Sequence, residues 1–209
     1  MSGKRTGKTT AMSQAAKPTG ALGWLMAWIY RVLSVSWRSQ YETIADLLGL
    51  GSDDDLLDVA CGSGLFLKKH ASQAGRVTGL DHSEVQLRMA RKVNRRRIAA
   101  GTAEIVEGDA GALPWEDGRF SALTCDSLQC FPEPVEALKE MRRVLRAGGR
   151  AVLALNYFPS EEGARRAEQK WGFPMWNESQ LRRMLEQAGF TQVRVSHDER
   201  VQFVKVDRG

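Results

Sequence analysis

The sequence predicts an α/β domain: a doubly wound, seven-stranded, mostly parallel sheet with the last strand antiparallel, and an added N-terminal helical segment. Three observations carry that prediction. Apolar strand-like runs alternate with amphipathic helix-like runs through the middle of the chain, the pattern of a parallel sheet covered on both faces. Four successive strand-like runs finish at an acid: Asp58, Asp81, Asp109 and Asp126. The last two runs alternate polar and apolar residues like a closing hairpin. A chain of 209 residues that is 43% hydrophobic and 26% charged is neither disordered nor fibrous and has the length for one buried core.

The elements follow in order. Residues 1–20 are polar, basic and short of apolar side chains, and they read as a disordered tail with no signal-peptide core. Within it, "GKRTGKTT" imitates a phosphate loop, but only three residues separate Gly3 from Gly7 and no strand precedes it. Residues 21–48 read as one or two helices, with Trp24, Leu25, Trp28, Ile29, Val32 and Leu33 at helical spacing, expected to cover the active site. Arg31 interrupts the apolar run 21–37, which is short for a membrane span. Residues 49–209 make the main domain. A turn at 49–55 leads to strand 56–60, helix 64–73 and strand 76–81. Ser83 caps and Gly101 stops a helix over 83–100, followed by strands 103–109 and 120–126. Helix 134–149 closes on glycines before strand 150–156, and helix 178–190 precedes strands 191–197 and 200–206.

The net charge of +5 is local. Six basic residues and no acid lie in residues 1–41, which leaves the rest of the chain at −1. A basic tail on a near-neutral body is poor evidence for a nucleic-acid partner. The three cysteines, Cys61, Cys125 and Cys130, form no paired motif, which fits a reducing, cytoplasmic setting.

The chemistry sits at the strand ends, where open parallel sheets bind ligands. "LLDVACGSG" places Asp58 directly under a loop of almost bare backbone. A dinucleotide would set a pyrophosphate beside that acid, a like-charge contact. Leu67 also occupies the place where its fingerprint needs a small third residue. S-adenosylmethionine (SAM) suits the acids better: it brings a sulfonium, an ammonium, a ribose diol and an adenine amine.

These motifs together resemble the class I SAM-dependent methyltransferases, in particular the small bacterial type acting on small molecules. The matching stretches are "LLDVACGSG", "VTGLDHS", "EGDAGALPWEDGRFSAL" and "EALKEMRRVLRAGGRAVLAL". The resemblance implies a Rossmann-like sheet, SAM as cofactor and S-adenosylhomocysteine (SAH) as product. It implies that Ala60, Cys61, Gly62 and Gly64 approach the methionine part by backbone while Asp58 orients it. Asp81 would accept from the ribose, His82 would pack beside the adenine, and Asp109 with the Ala110 N–H would read the ring. Asp126 and Ser127 would face the methionine moiety. Ser121 stands where relatives often carry Asp and is not assigned to the ligand. "DSLQCF" replaces a His-rich stretch, so no base comes from there, and no catalytic residue or metal site is assigned.

The acceptor is expected to be a small aromatic or heteroaromatic molecule, methylated on oxygen or nitrogen. Trp28, Tyr41, Gln129, Asn156, Tyr157 and Trp176 are its candidate contacts. The aromatics of 156–176 and of the N-terminal helices serve either as pocket walls or as packing between helix and sheet. The basic runs at 91–97 and 142–143 read as solvated helix faces. The order Asp126-Ser127-Leu128-Gln129 lacks the Pro-Pro-aromatic turn of amino-group nucleic-acid methyltransferases. Two alternatives stay open: a lipid or quinone acceptor at a membrane touched by residues 1–37, and a SAM-binding protein that transfers nothing.

Overall fold

A computed structural model describes residues 38–209. The tail, Trp28 and the rest of the segment 21–37 lie outside the described residues. The described chain begins with helix α1 (Arg38–Leu48) and strand β1 (Asp55–Val59). There follow α2 (Leu65–Lys69), β2 (Arg76–Asp81), α3 (Glu84–Ala99), β3 (Ala103–Glu107) and β4 (Phe120–Cys125). A single 3-10 turn (Leu128–Cys130) leads to α4 (Pro134–Val144), β5 (Leu145–Asn156) and α5 (Glu161–Trp171). Helix α6 (Glu178–Gln187) and strands β6 (Gln192–His197) and β7 (Val201–Asp207) complete the chain.

The seven strands form one sheet in the order β3-β2-β1-β4-β5-β7-β6. All pairs from β3 to β5 are parallel, and β7 runs antiparallel to both β5 and β6. The chain therefore leaves β3 and re-enters the sheet on the far side of β1, which opens a switch point between β1 and β4. Ligands gather at such a point, beyond the carboxyl ends of the strands.

Strand alternation sorts the core into two layers. Leu57, Val59, Leu123 and Leu153 pack with Leu138 and Met141 of α4 and Leu181 and Leu185 of α6. Leu56, Val77 and Val152 pack on the other face with Ile44 and Leu48 of α1, Phe66 of α2 and Leu87 of α3. Asp58 shares the parity of Leu56, so its side chain points into the second layer, toward α1. Helix α1 is held by burying Tyr41, Ile44 and Leu48, at roughly 1.5–3 kcal/mol for a large apolar side chain.

The structure moves several expected boundaries. The helix expected over 64–73 covers only Leu65–Lys69, with His70 as its C-cap donating its N–H to the Phe66 carbonyl. The helix expected to reach residue 149 stops at Val144, because Leu145 is already extended and begins β5. Gly148 at φ +70° and a register shift between Phe120 and Ala122 absorb the kink there. Helix α5 was not expected. Ser160 caps it by accepting from the Gly163 N–H, and Gly172 at φ +74° ends it.

Candidate active site

The loop after β1 is shaped by backbone rather than by side chains. Ala60, Gly62 and Gly64 all lie at positive φ, between +53° and +71°. For Ala60 this left-handed conformation costs about 1–2 kcal/mol, a strain that persists only where surroundings enforce it. They do: the Cys61 N–H donates to the Leu80 carbonyl and the Gly64 N–H to the Cys61 carbonyl, both at 2.9 Å. A Cβ on Gly64 would lie 2.6 Å from the Asn94 amide nitrogen and 3.0 Å from the Ala90 Cβ. Asn94 itself is buried in α3 and donates to the Gly64 carbonyl at 3.0 Å. The loop is thus clamped between β2 and α3.

Asp81 ends β2 and reaches back to this loop. Its Oδ2 accepts from the Gly62 N–H at 2.9 Å and its Oδ1 from the Ser83 N–H at 2.8 Å. Both oxygens are fixed, and each keeps a free lone-pair direction. Asp126, just past β4, accepts from the Ser127 hydroxyl at 2.9 Å. Register pairs Val59 with both Leu80 and Cys125, so Asp81 and Asp126 stand level with Ala60 and two residues above Asp58.

Asp58 is the exceptional group. It is 6% exposed and makes no hydrogen bond or ion pair among the described residues. Burial, then the charges of Asp126 and Asp81, holds its carboxyl well above the ordinary carboxylate range. Burial likewise raises Asp126, opposed by the Ser127 hydroxyl and reinforced by Asp81. The cleft beside Asp58 is narrow, about 10 Å³, room for one water. Tyr41, Ile44, Ala60, Cys61, Phe66, Thr124 and Asp126 complete its walls, with no lysine or arginine among the described residues lining it. An unpaired buried acid under a bare loop calls for a ligand with positive or hydrogen-donating groups.

Two larger cavities continue outward. One of about 230 Å³ is lined by Gln40, Asp126, Gln129, Asn156, Asp198 and Arg200, among others. The next, about 540 Å³, shares Gln129 and Asn156 and adds Cys130, Lys170, Trp171, Phe173 and Met175.

The sequence-predicted residues fall into three sets. The structure gathers Asp58, Ala60, Cys61, Gly62, Gly64, Asp81, Asp126 and Ser127 around the loop between β1 and β2 and the end of β4. Asp109 is exposed and turns the chain after β3 by accepting from the Gly111 N–H at 2.9 Å, with Ala110 buried beside it. The Gly108 N–H ties that loop to the Asp81 carbonyl at 3.1 Å. The His82 side chain is largely exposed next to Asp81. Of the candidate acceptor contacts, Tyr41 lines the narrow cleft, and Gln129 and Asn156 line both larger cavities. Tyr157 instead stacks on His197 at 3.9 Å, and Trp176 packs on the first core layer. Burial raises the thiols of Cys61, Cys125 and Cys130, which keeps all three protonated.

Sequence reasoning missed Thr124, Ile44 and Phe66 in the cleft wall and Asn94 behind the loop. Asn94 lies within the basic run 91–97, whose charge predicts a solvated face, yet it follows Leu87 and Ala90 at helical spacing, a signal that it faces the core. Arg97, half-buried in the same run, donates to the Ala71 and Ala74 carbonyls at 2.9 and 2.7 Å. Arg143, in the other basic run, bonds Glu140 at 2.7 Å and the Leu113 carbonyl at 2.9 Å.

The methyltransferase-domain family matches residues 57–153. Demethylmenaquinone methyltransferase of Staphylococcus aureus is 31% identical, covering 76% of this chain and 76% of that one. Among solved structures, a Bacillus halodurans protein described as a methyltransferase superposes with a TM-score of 0.69 at 20% identity, covering 81% of this chain and 99% of that one. Geranyl diphosphate C-methyltransferase of Streptomyces coelicolor, solved with SAH, gives 0.68 at 16% identity, covering 93% and 86%.

Proposed function

The chain belongs to the class I SAM-dependent methyltransferases, and we propose that it methylates an oxygen or nitrogen of a small aromatic or heteroaromatic molecule. SAM is its cofactor, and it supplies an electrophilic methyl on a sulfonium whose leaving group is a neutral thioether. The observation that carries the reading is Asp58: a buried acid with no partner among the described residues, beside two more acids and a loop to which those residues bring no phosphate-binding cation.

The residues divide the work by position. Asp81, locked by two backbone donors, offers its remaining lone pairs to a diol. Asp58 and Asp126, with Ser127 holding the latter, favour the ammonium and sulfonium end. Ala60, Cys61, Gly62 and Gly64 present backbone to that end at close range. Asp109, Ala110 and His82 border the adenine side. The acceptor's place is the 230 Å³ cavity, with Gln129 and Asn156 at its far wall and Tyr41 at the cleft. No general base is assigned. An acceptor that loses its proton readily, such as a phenol, needs only orientation and exclusion of water. Helix α1 walls the cleft through Tyr41 and Ile44; the rest of the expected cover, 21–37, lies outside the described residues. Tyr157, stacked on His197, and Trp176, packed on the first core layer, are not among the residues lining the cavities described above.

Incubation of the full chain with methyl-labelled SAM and a panel of phenols and heteroaromatic amines tests the reading. A labelled O- or N-methyl product supports it, and SAH binding with no product from any panel member contradicts it. A second reading, a quinone as acceptor, is favoured by the 31% identity to the Staphylococcus aureus enzyme. A product labelled on ring carbon, with liposome binding that needs residues 1–37, would select it. Among the described residues no helix is long and apolar enough to cross a membrane.

A further inference from the structure

The outermost cavity has a character of its own. Trp171 and Phe173 are 47% and 51% exposed, the two most exposed large apolar side chains among the described residues, and both line it. Gly172 at φ +74° turns the chain between them. Trp171 is steadied by Phe158, 6.3 Å away between ring centroids, while the small core of Ala164, Ala167 and Met175 backs α5. The wall is therefore supported from behind and bare in front. Lys170 is the one charged side chain lining the cavity among the described residues, and it has no ion-pair partner among them. The Cys130 thiol beside it stays neutral.

This cavity of about 540 Å³ meets the inner one of about 230 Å³ through Gln129 and Asn156, which line both. That throat has spare polar capacity. The Gln129 Oε1 is buried with no hydrogen-bond partner among the described residues. Among the described residues, the Asn156 side-chain amide makes only a 3.8 Å contact with the Met175 sulfur.

We infer that Lys170, Trp171 and Phe173 form an outer specificity compartment that binds a flat aromatic ring bearing an anionic group, while the methyl-accepting end passes Gln129 and Asn156 toward Asp126. The inference rests on the reading of the inner cavity as the acceptor site. Aromatic faces and one cation on one wall suit an aromatic carboxylate: the rings stack and the carboxylate meets the ammonium.

The test uses the full chain saturated with SAH and two probes, 2-naphthoate and its neutral isostere 2-naphthamide, titrated by ligand fluorescence. The chain should bind naphthoate saturably. Trp171→Ala combined with Phe173→Ala should weaken both probes by about tenfold or more, since two stacking contacts are lost. Lys170→Gln should weaken naphthoate about fivefold, the scale of one exposed charge pair, and should leave naphthamide nearly unchanged. All three side chains lie away from the loop after β1, so SAH affinity should not move in any variant, and the melting midpoint should not move in Lys170→Gln. No saturable naphthoate binding to the SAH-bound chain, an unchanged Kd in the double variant, or equal losses of both probes in Lys170→Gln overturns the inference. Failure of the wild-type chain to bind SAH at all would instead overturn the cofactor assignment beneath it.

Discussion

At the amino end of the sheet, Asp54 and Asp55 each face an arginine; at the carboxyl end, Asp58, Asp81 and Asp126 face none among the described residues. Arg150 grips both oxygens of Asp54, at 2.7 and 3.1 Å, and donates to the Leu48 and Gly49 carbonyls at the end of α1. The Ser121 hydroxyl joins the same cluster, 2.7 Å from Asp54 and 2.9 Å from the Asp55 N–H. Arg119 lies 2.6 Å from Asp55. The Arg150 guanidinium, first of all, holds the Asp54 carboxyl well below its ordinary range, whereas burial pushes Asp58 and Asp126 the other way. The same residue type thus does two jobs on the same strands. Asp54, through Arg150, ties α1 to the sheet; the buried Asp58 and Asp126 keep an unfavourable charge in place for a cationic ligand to relieve.

Breaking the paired end should have the largest effect. Arg150→Met leaves Asp54 half-buried without its cation and frees two helix-end carbonyls, and it should cost about 3 kcal/mol of stability. Urea denaturation would read that loss, with SAH affinity of the folded fraction unchanged. At the other end, Asp81→Ala should cut SAH affinity by about 2 kcal/mol, because one charged acceptor for the ribose is lost. The Gly62 and Ser83 N–H groups lose their acceptor too. Calorimetry checks it, and unchanged affinity would remove Asp81 from the ligand site.

The two ends should also titrate in opposite senses. Asp54 has a lowered carboxyl pKa in the folded state, so its contribution is complete above the unfolded value of 3.8 and is lost as pH falls below it. The stability gap between wild type and Asp54→Asn should therefore close on acidification. Asp58 has a raised pKa, so its penalty is absent below 3.8 and grows as pH rises from there toward its folded value. Asp58→Asn should match wild type near pH 4 and exceed it in stability near neutrality. Denaturant midpoints across that range would decide, and parallel curves for the two variants would erase the contrast. The smallest effect is expected at Ala60. Ala60→Gly relieves its positive φ and should stabilise the chain by about 1 kcal/mol, measured as a higher midpoint.

The carboxyl end was legible in the sequence because its signals are local. Asp58 sits two residues before Ala60 in one short stretch, and strand-terminal acids recur with each βα unit. The amino end was not legible. Arg150 meets Asp54 across 96 residues of sequence, and nothing near Arg150 marks it as an anchor rather than a surface cation. Asn94 was hidden among arginines whose charge suggested solvent, although its helical spacing pointed inward. Helix α5 had its Ser160 cap, its acidic first turn and its Gly172 stop in plain view. Its aromatic end drew attention to a pocket wall instead of to periodicity. The outer cavity was legible in part: Gln129, Asn156 and the aromatics of 156–176 read as pocket walls, but only the fold brings them together and sets Cys130 and Lys170 among them.

The most direct measurement is calorimetric titration of SAM into wild type and Asp58→Asn, paired with denaturant midpoints at neutral pH. The expected result is an affinity at least about tenfold weaker in the variant, the scale of a lost charge-assisted contact, with a midpoint equal to or above that of wild type. Unchanged affinity with a lower midpoint would make Asp58 a scaffold acid like Asp54 and contradict the contrast between the two ends.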